Sequence, residues 1–510
     1  MPLPPFPSYP PAWLGAALCA TLNLLGGCAS APPAPTLAQG IAAAALGQWA
    51  RVDILPGAAA PDARALATWW QQFGDPHLDR LMQQALAGNL DLRSARATLR
   101  QAQAARAAAE AGTGPLLGIS AGASRSLTRS STSNLYKLGF SASWEPDLNG
   151  SQASGVAAAD ADAQAAWADL GTTRMTLSAE LGLAYVQWRG AQARLRITAA
   201  SLASLEQTLE LARWKAQAGL ASVLDVEQAR LSVEQTRASL PSLATEIAQD
   251  EHLIALLTGR APSELMADLP AQPLSTNGVP QAGPAMERLA VGLPADLLRR
   301  RPDLQAAEAR VRAAWARQEQ TRRAGWPGLG LSGSVGLQAL TLGALGQASA
   351  GVAALAASVD WTLFDNGLRR AQVDQAGAAL DSSRIAYDAA VLGAVRDVED
   401  SLVALRGSRD RAESLRQAAD AAAATLHWTR VRHDAGLTDF ATLLEAQRNE
   451  LGALLALQTT QTDLSLNLIR LFKALGGGWD ADAANAEPVP TPTPNPSPNA
   501  PPAPAASPRA

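Results

Sequence analysis

Cysteine is almost absent from this chain of 510 residues, which carries only Cys19 and Cys28. Histidine occurs at 77, 252, 427 and 433 alone, and aromatic residues make up 5% of the total. No Lys or Arg precedes Arg51. Each shortage excludes something. So few thiols, and imidazoles at unrelated spacings, offer neither a metal cluster nor a nucleophile–base pair. A length that would suggest several globular domains normally comes with bulkier side chains. Here alanine dominates instead, and small residues at helical spacing suit long helices lying close together. The net charge of −4 gives no electrostatic case for nucleic acid.

What is present begins at the N-terminus. Trp13–Leu25 (WLGAALCATLNLL) is the size of a secretory signal core and too short to span a bilayer. It leads into Leu25-Gly26-Gly27-Cys28, which resembles a bacterial lipobox, although the usual positive charges before it are missing. The resemblance implies cleavage before Cys28 and its acylation. Ala29, which is not Asp, favours sorting to the outer membrane. Cys19 would leave with the signal, so the mature chain would hold no free thiol.

The rest of the chain is written twice. SASWEPDLNG (141–150) returns as SVDWTLFDNG (358–367), with Trp144, Asn149 and Gly150 matched 217 positions later by Trp361, Asn366 and Gly367. Ala218-Gly219-Leu220 matches Ala435-Gly436-Leu437 at the same offset. Upstream the offset is 212, pairing Asp91-Leu92 with Asp303-Leu304 and Pro115 with Pro327. The second copy has therefore gained five residues between its Pro and its Trp, which marks a loop. This is a tandem duplication.

Each copy reads helix, two strands, long helix, turn, helix. Leu117, Ile119, Ala121 and Ala123 alternate with Gly and Ser, as do Tyr136, Leu138, Phe140, Ala142 and Trp144. The second copy repeats the alternation at Leu329, Leu331, Gly333, Val335 and Leu337, then at Ala353, Leu355, Ala357, Val359 and Trp361. One apolar face and one small or polar face over about ten residues is the pattern of a tilted membrane β-strand. Tyr136, Trp144 and Trp361 are expected at strand ends, level with lipid headgroups. Four strands cannot close a barrel, but three chains would supply twelve. Between Ser151 and Gln217 there is no proline, enough for roughly 100 Å of helix at 1.5 Å per residue, and the stretch from Leu368 to Asp434 matches it. Leu202, Leu205, Leu209, Ala212 and Ala216 keep coiled-coil spacing, as do Leu240, Leu243 and Ile247. Pro241 should bend the return helix.

LPADLLRRRPDLQAAEARVRAAWARQEQ from Leu293, WWQQFGDPHLDRLMQQALAGNLDL (69–92) and LFKALGGGW (471–479) resemble the TolC-like outer-membrane lipoprotein channels of resistance–nodulation–division efflux pumps. The resemblance spans about 65–480. It implies a mixed α and β membrane protein, a homotrimer whose twelve-stranded outer-membrane β-barrel continues into a periplasmic α-helical barrel. It also implies a periplasmic adaptor (membrane fusion) protein, an inner-membrane transporter of the same class and outer-membrane lipid as partners, with no cofactor. Carried over by position, Gly219, Leu220, Gly436, Leu437 and Thr438 would be adaptor contacts at the closed tip. Glu445 would line the gate, with Asp439 and Asp225 as nearby candidates. Thr442 stands where relatives often have a second acid, and His433 where many have Tyr.

The expected organisation is a signal peptide at 1–27, a lipidated segment at 28–68 and a first repeat at 69–259, with strands within 115–146 and a helical hairpin at 151–259. A linker follows at 260–294. The second repeat occupies 295–479, with strands within 327–365 and a hairpin at 367–476. A disordered Pro/Ala-rich tail fills 480–510. An enzyme reading rests only on Gly328, Gly330 and Gly333, a GxGxxG inside an alternating strand and so out of context. Two other readings stay open: a conduit for protein secretion on the same fold, and a periplasmic coiled-coil scaffold or adaptor.

Overall fold

The structure is a computed structural model that describes residues 63–129, 131–268 and 300–480. The signal, Cys28, most of the linker and the tail lie outside the described residues. In chain order the elements are α1 (Ala63–Ala67), a 3-10 turn (Trp69–Phe73), α2 (Pro76–Gly88), α3 (Leu90–Ala111), β1 (Leu116–Leu127), β2 (Thr132–Trp144), α4 (Ser151–Gln217), α5 (Val223–Thr258) and α6 (Pro262–Asp268). Then come α7 (Pro302–Arg323), β3 (Gly328–Ala339), β4 (Gly351–Asp360), α8 (Leu368–Asp434) and α9 (Phe440–Ala474). The duplication is visible residue for residue, because α3 and β1 recur 212 positions later as α7 and β3, and α4 recurs 217 later as α8. The extra residues of the second copy fall between β3 and β4, where two short 3-10 turns (Leu342–Gly346 and Ala348–Ala350) fill the connection.

By its internal contacts the chain forms two units, one holding 94–169 and 303–392 and the other the remaining described residues. The first contains the sheet, antiparallel in the order β1-β2-β3-β4. Its register is in phase throughout: Ile119 faces Phe140, Phe140 faces Val335, and Val335 faces Ala353. The alternating apolar residues of all four strands therefore share one face, and a one-residue slip would send them all to the other. In the single chain that face is bare, with Ile119 68% and Leu355 90% exposed. Trp144 ends β2 and Trp361 directly follows β4, but Tyr136 lies inside β2, so the expectation of three strand-end aromatics holds for two. Tyr136 follows the period of two like its neighbours, and the strand simply continues beyond it to Thr132.

The repeated Asn-Gly has a local cause. Asn366 and Gly367 take φ of 54° and 88°, and Gly150 takes 75°; the left-handed region is one that Asn and Gly enter at little cost. The turn delivers each strand into its long helix. In this unit, helix contacts are built from alanine (Ala158, Ala161 and Ala165 on α4; Ala306, Ala309 and Ala313 on α7), all buried. Arg310 reaches Asp169 at 2.6 Å, and Arg317 pairs with Asp162 across the same helices.

The second unit holds the bulky core. Trp69 stacks on Phe472 with centroids 5.5 Å apart and meets Trp70 and Phe73 edge-on at 5.9 Å. Tyr185 donates to Asp75 at 2.7 Å, and Trp188 to Glu251 at 3.1 Å. The third arginine of LLRRRPD, Arg301, is buried against Asp397 at 3.4 Å and the Ala474 carbonyl at 3.2 Å. The α5 helix runs without a break through Pro241. Within the described residues no helix is long and apolar enough to cross a membrane.

Asp250, on α5, yields a pH prediction. Burial first, and then Glu246, push its carboxyl up to about 6, against the pull of Arg194. A raised carboxyl binds its proton more tightly in the folded chain than in the unfolded one. Its charge therefore costs stability above that value, and the cost fades as the pH falls through it. Asp250→Asn should stabilise the folded chain against unfolding at about pH 8 by about 1 kcal/mol after allowance for solvent screening, and have almost no effect near pH 4. Thermal melts at the two pH values check this.

Candidate functional site at the hairpin tips

Both long helices end in the same way. The Leu220 amide donates back to the Lys215 carbonyl at 2.8 Å, and Leu437 to Arg432 at 2.8 Å. Gly219 and Gly436 between them stand at φ of 74° and 70°, a helix stop that requires the left-handed conformation. The return helices then start differently. Ser222 caps α5 in a reciprocal box: it accepts from the Asp225 amide at 3.1 Å while Asp225 accepts from the Ser222 amide at 3.0 Å. In the second copy Asp439 is the cap, accepting from the Thr442 amide at 2.9 Å. Ser222 corresponds to Asp439 and Asp225 to Thr442, so the two tips have exchanged which position carries the acid. The hydrogen bonds from Thr442 hold the Asp439 carboxyl below the usual carboxylate range, with His433 helping.

Behind the turns, Leu444 joins Leu202, Leu205, Leu209, Ala229 and Val233, while Leu443 packs with Leu426 and Ala446. Phe440 touches both clusters. Gln447 crosses between copies to Thr208 at 3.0 Å. Because α9 buries 443, 444, 446 and 447, one strip is left outward, containing Ala441, Glu445 and Arg448. Glu445 is exposed and makes no hydrogen bond or ion pair among the described residues. At the turns themselves Leu220 is 79% and Leu437 69% exposed, and Val223 and Leu224 are bare beside them. Thr438 is half-buried.

The chain matches the family model "Outer membrane efflux protein" over residues 81–260 and 293–477. It belongs to that family, the TolC-like channels of resistance–nodulation–division efflux pumps. It is 32% identical over 479 residues to the pyoverdine export outer membrane protein OpmQ of Pseudomonas aeruginosa, covering 90% of this chain and 96% of that one. It is 31% identical over 425 residues to the probable efflux pump outer membrane protein SepC of Pseudomonas putida, covering 81% and 85%. Among solved structures, the outer-membrane channel OprN superposes with a TM-score of 0.79 at 31% identity, over 88% of this chain and 99% of that one.

In this efflux family member the tip residues read from sequence fall into three groups. Gly219, Leu220, Gly436 and Leu437 form the two turns. Asp225 and Asp439 are caps whose carboxylates are engaged within the chain. Glu445 stands apart on the outward strip. Sequence reasoning passed over Val223 and Leu224, although two apolar residues directly after a Ser cap were a readable signal. It also passed over the caps, which the Ser-x-x-Asp and Asp-x-x-Thr spacings announce. Removing Ser222 as Ala should cost about 1 kcal/mol of local stability. Asp439→Ala should speed hydrogen exchange at the Thr442 amide several-fold at neutral pH. Since the native carboxylate is held low, its cap should persist through the ordinary carboxylate range and weaken only below it. Exchange rates at the start of α9 check both substitutions.

Proposed function

We propose that this chain is the outer-membrane duct of a tripartite efflux pump, assembled as a homotrimer and shut at its periplasmic tips. The observation that carries this reading is the four-stranded sheet, whose apolar face is bare and whose edge strands β1 and β4 each leave one side unpaired among the described residues. In hydrocarbon each unpaired backbone group costs several kcal/mol, so such a sheet must close with other copies. Three chains give twelve strands. A periplasmic scaffold would account for the helices but not for this sheet.

The exposed Leu220 and Leu437, with Gly219, Gly436 and Thr438, meet the periplasmic adaptor, which links the duct to an inner-membrane transporter. The transporter does the selecting; the duct passes small molecules, in line with a relative that exports pyoverdine. Acylated Cys28 adds a lipid anchor to the barrel. Glu445 carries the gate charge, while Asp225 and Asp439 keep the turns in shape. Three Glu445 carboxylates crowded about a threefold axis repel one another, so the closed tip is only marginally favoured, and they attract cations into the constriction.

Native mass measurement in detergent should give three chains, and a stable folded monomer would refute the assembly. In planar bilayers Glu445→Ala should lower cation selectivity and alter the small resting conductance, whereas Glu413→Ala, on a residue paired with Arg416 at 2.8 Å on α8, should not. Unchanged selectivity removes Glu445 from the gate. Mass spectrometry of the mature N-terminus should show acyl chains on Cys28, and an unmodified cysteine in membrane-purified protein rules the anchor out.

A further inference from the structure

Near the tips the two copies meet through polar side chains as well as leucines. Lys215 Nζ of α4 lies 3.4 Å from His433 Nε2 of α8. The His433 ring leans on Phe440 with centroids 5.7 Å apart, and its Nδ1 is buried with no hydrogen-bonding partner among the described residues. These groups border a cavity of about 600 Å³ between the two hairpins. The charged groups around it are Lys215 from α4, Asp225 from α5, Arg430 and Asp434 from α8 itself, and Asp439 at the start of α9.

We propose that His433 makes the closure of the two hairpin tips pH-dependent: the neutral imidazole ties α8 to α4 through Lys215, and the imidazolium releases it. An ammonium group can only donate, so its approach to Nε2 is attractive only while that nitrogen offers a lone pair. In the neutral ring the proton then sits on Nδ1. Taking up a second proton converts Nε2 into a donor and sets two cations face to face, so a bond becomes a repulsion. Arg430, bonded to Ser204 at 3.4 Å, adds positive charge on the same side. The carboxylates oppose this at longer range, since none of them hydrogen-bonds to His433. Asp439 spends its carboxylate on Thr442 and Asp225 on Ser222. Asp439, at the start of α9, draws the charged ring away from Lys215, whereas Asp225, on α5, draws it towards the first copy and limits the opening.

The inference rests on reading these turns as the periplasmic tip, but the contact lies within one chain and can be measured there. Spin labels at Ala218→Cys and Ala435→Cys, in a Cys19→Ala, Cys28→Ser background that leaves no other cysteine, report the separation of the two turns. Full-length labelled chains are mixed with excess unlabelled chains so that each assembly carries one labelled pair. Between roughly pH 8 and pH 5 the distance should lengthen. His433→Tyr, which keeps a ring but cannot titrate there, and Lys215→Met, which removes the second cation, should each flatten the profile. A flat profile in the parent chain overturns the switch, and a slope that survives His433→Tyr assigns the titration to another group. A slope that survives Lys215→Met removes Lys215 as the opposing charge. None of these results touches the channel reading, which chain number and conductance test separately.

Discussion

Hydrocarbon supplies no hydrogen bonds, and a sheet placed in it must pair every edge. That constraint governs this chain. The strands are long, in phase and apolar on one side, yet among the described residues the outer edges of β1 and β4 pair with nothing. Lengthening the sheet within one polypeptide would have meant many more strands. Writing a short unit twice and borrowing edges from identical copies reaches closure with four. The helices inherit the same arrangement: each strand pair feeds one long helix through an Asn-Gly turn, so one duplication event supplied both sheet and rods.

The packing follows from the same economy. A 67-residue helix that meets few neighbours at each level has only a narrow stripe to bury, and alanine lets backbones approach without bulky residues to enclose. The large side chains are concentrated where one place must hold many segments together, with Trp69 at its centre, stacked on Phe472. Arg301 and Asn89 are buried in the same unit. The Asn89 side chain caps α3 through the Leu92 amide at 2.9 Å and donates to the Leu257 carbonyl at 3.0 Å, tying the start of the first repeat to its end. Burial of a hydrogen-bonded polar group costs little, whereas leaving either partner unmet is expensive. Such residues fix one arrangement.

Much of this was legible in the sequence because repetition is a global signal. Trp144 and Trp361, or the two AGL turns, locate equivalent elements to the residue, and a shift in offset from 212 to 217 locates an insertion. Period-two alternation gave the strands, and the absence of proline gave the rods. Local contests were harder. Tyr136 lies inside its strand because aromatic type alone says nothing of where pairing stops. The roles of Asp225 and Asp439 were blurred because a carboxylate near a helix start serves equally as a cap or as a charge for a partner, and only the hydrogen bonds of Ser222 and Thr442 separate the two. Glu445 was placed by resemblance alone, since nothing in its spacing sets it apart from the other exposed acids of the helices.

The sheet also carries a seam, where β2 of the first copy meets β3 of the second. There Gly139 lies opposite Gly336, and a Cβ on either would come within 2.9 Å or 2.5 Å of the facing backbone. No other residue fits that join. By the repeat, the matching join between one chain's β4 and the next chain's β1 has Ala356 and Ser124 in the glycines' places. In a closed ring of three such chains the glycine pair would therefore mark only the three joins made within a chain. The three joins made between chains would be held by side chains and backbone hydrogen bonds with no covalent connection across them.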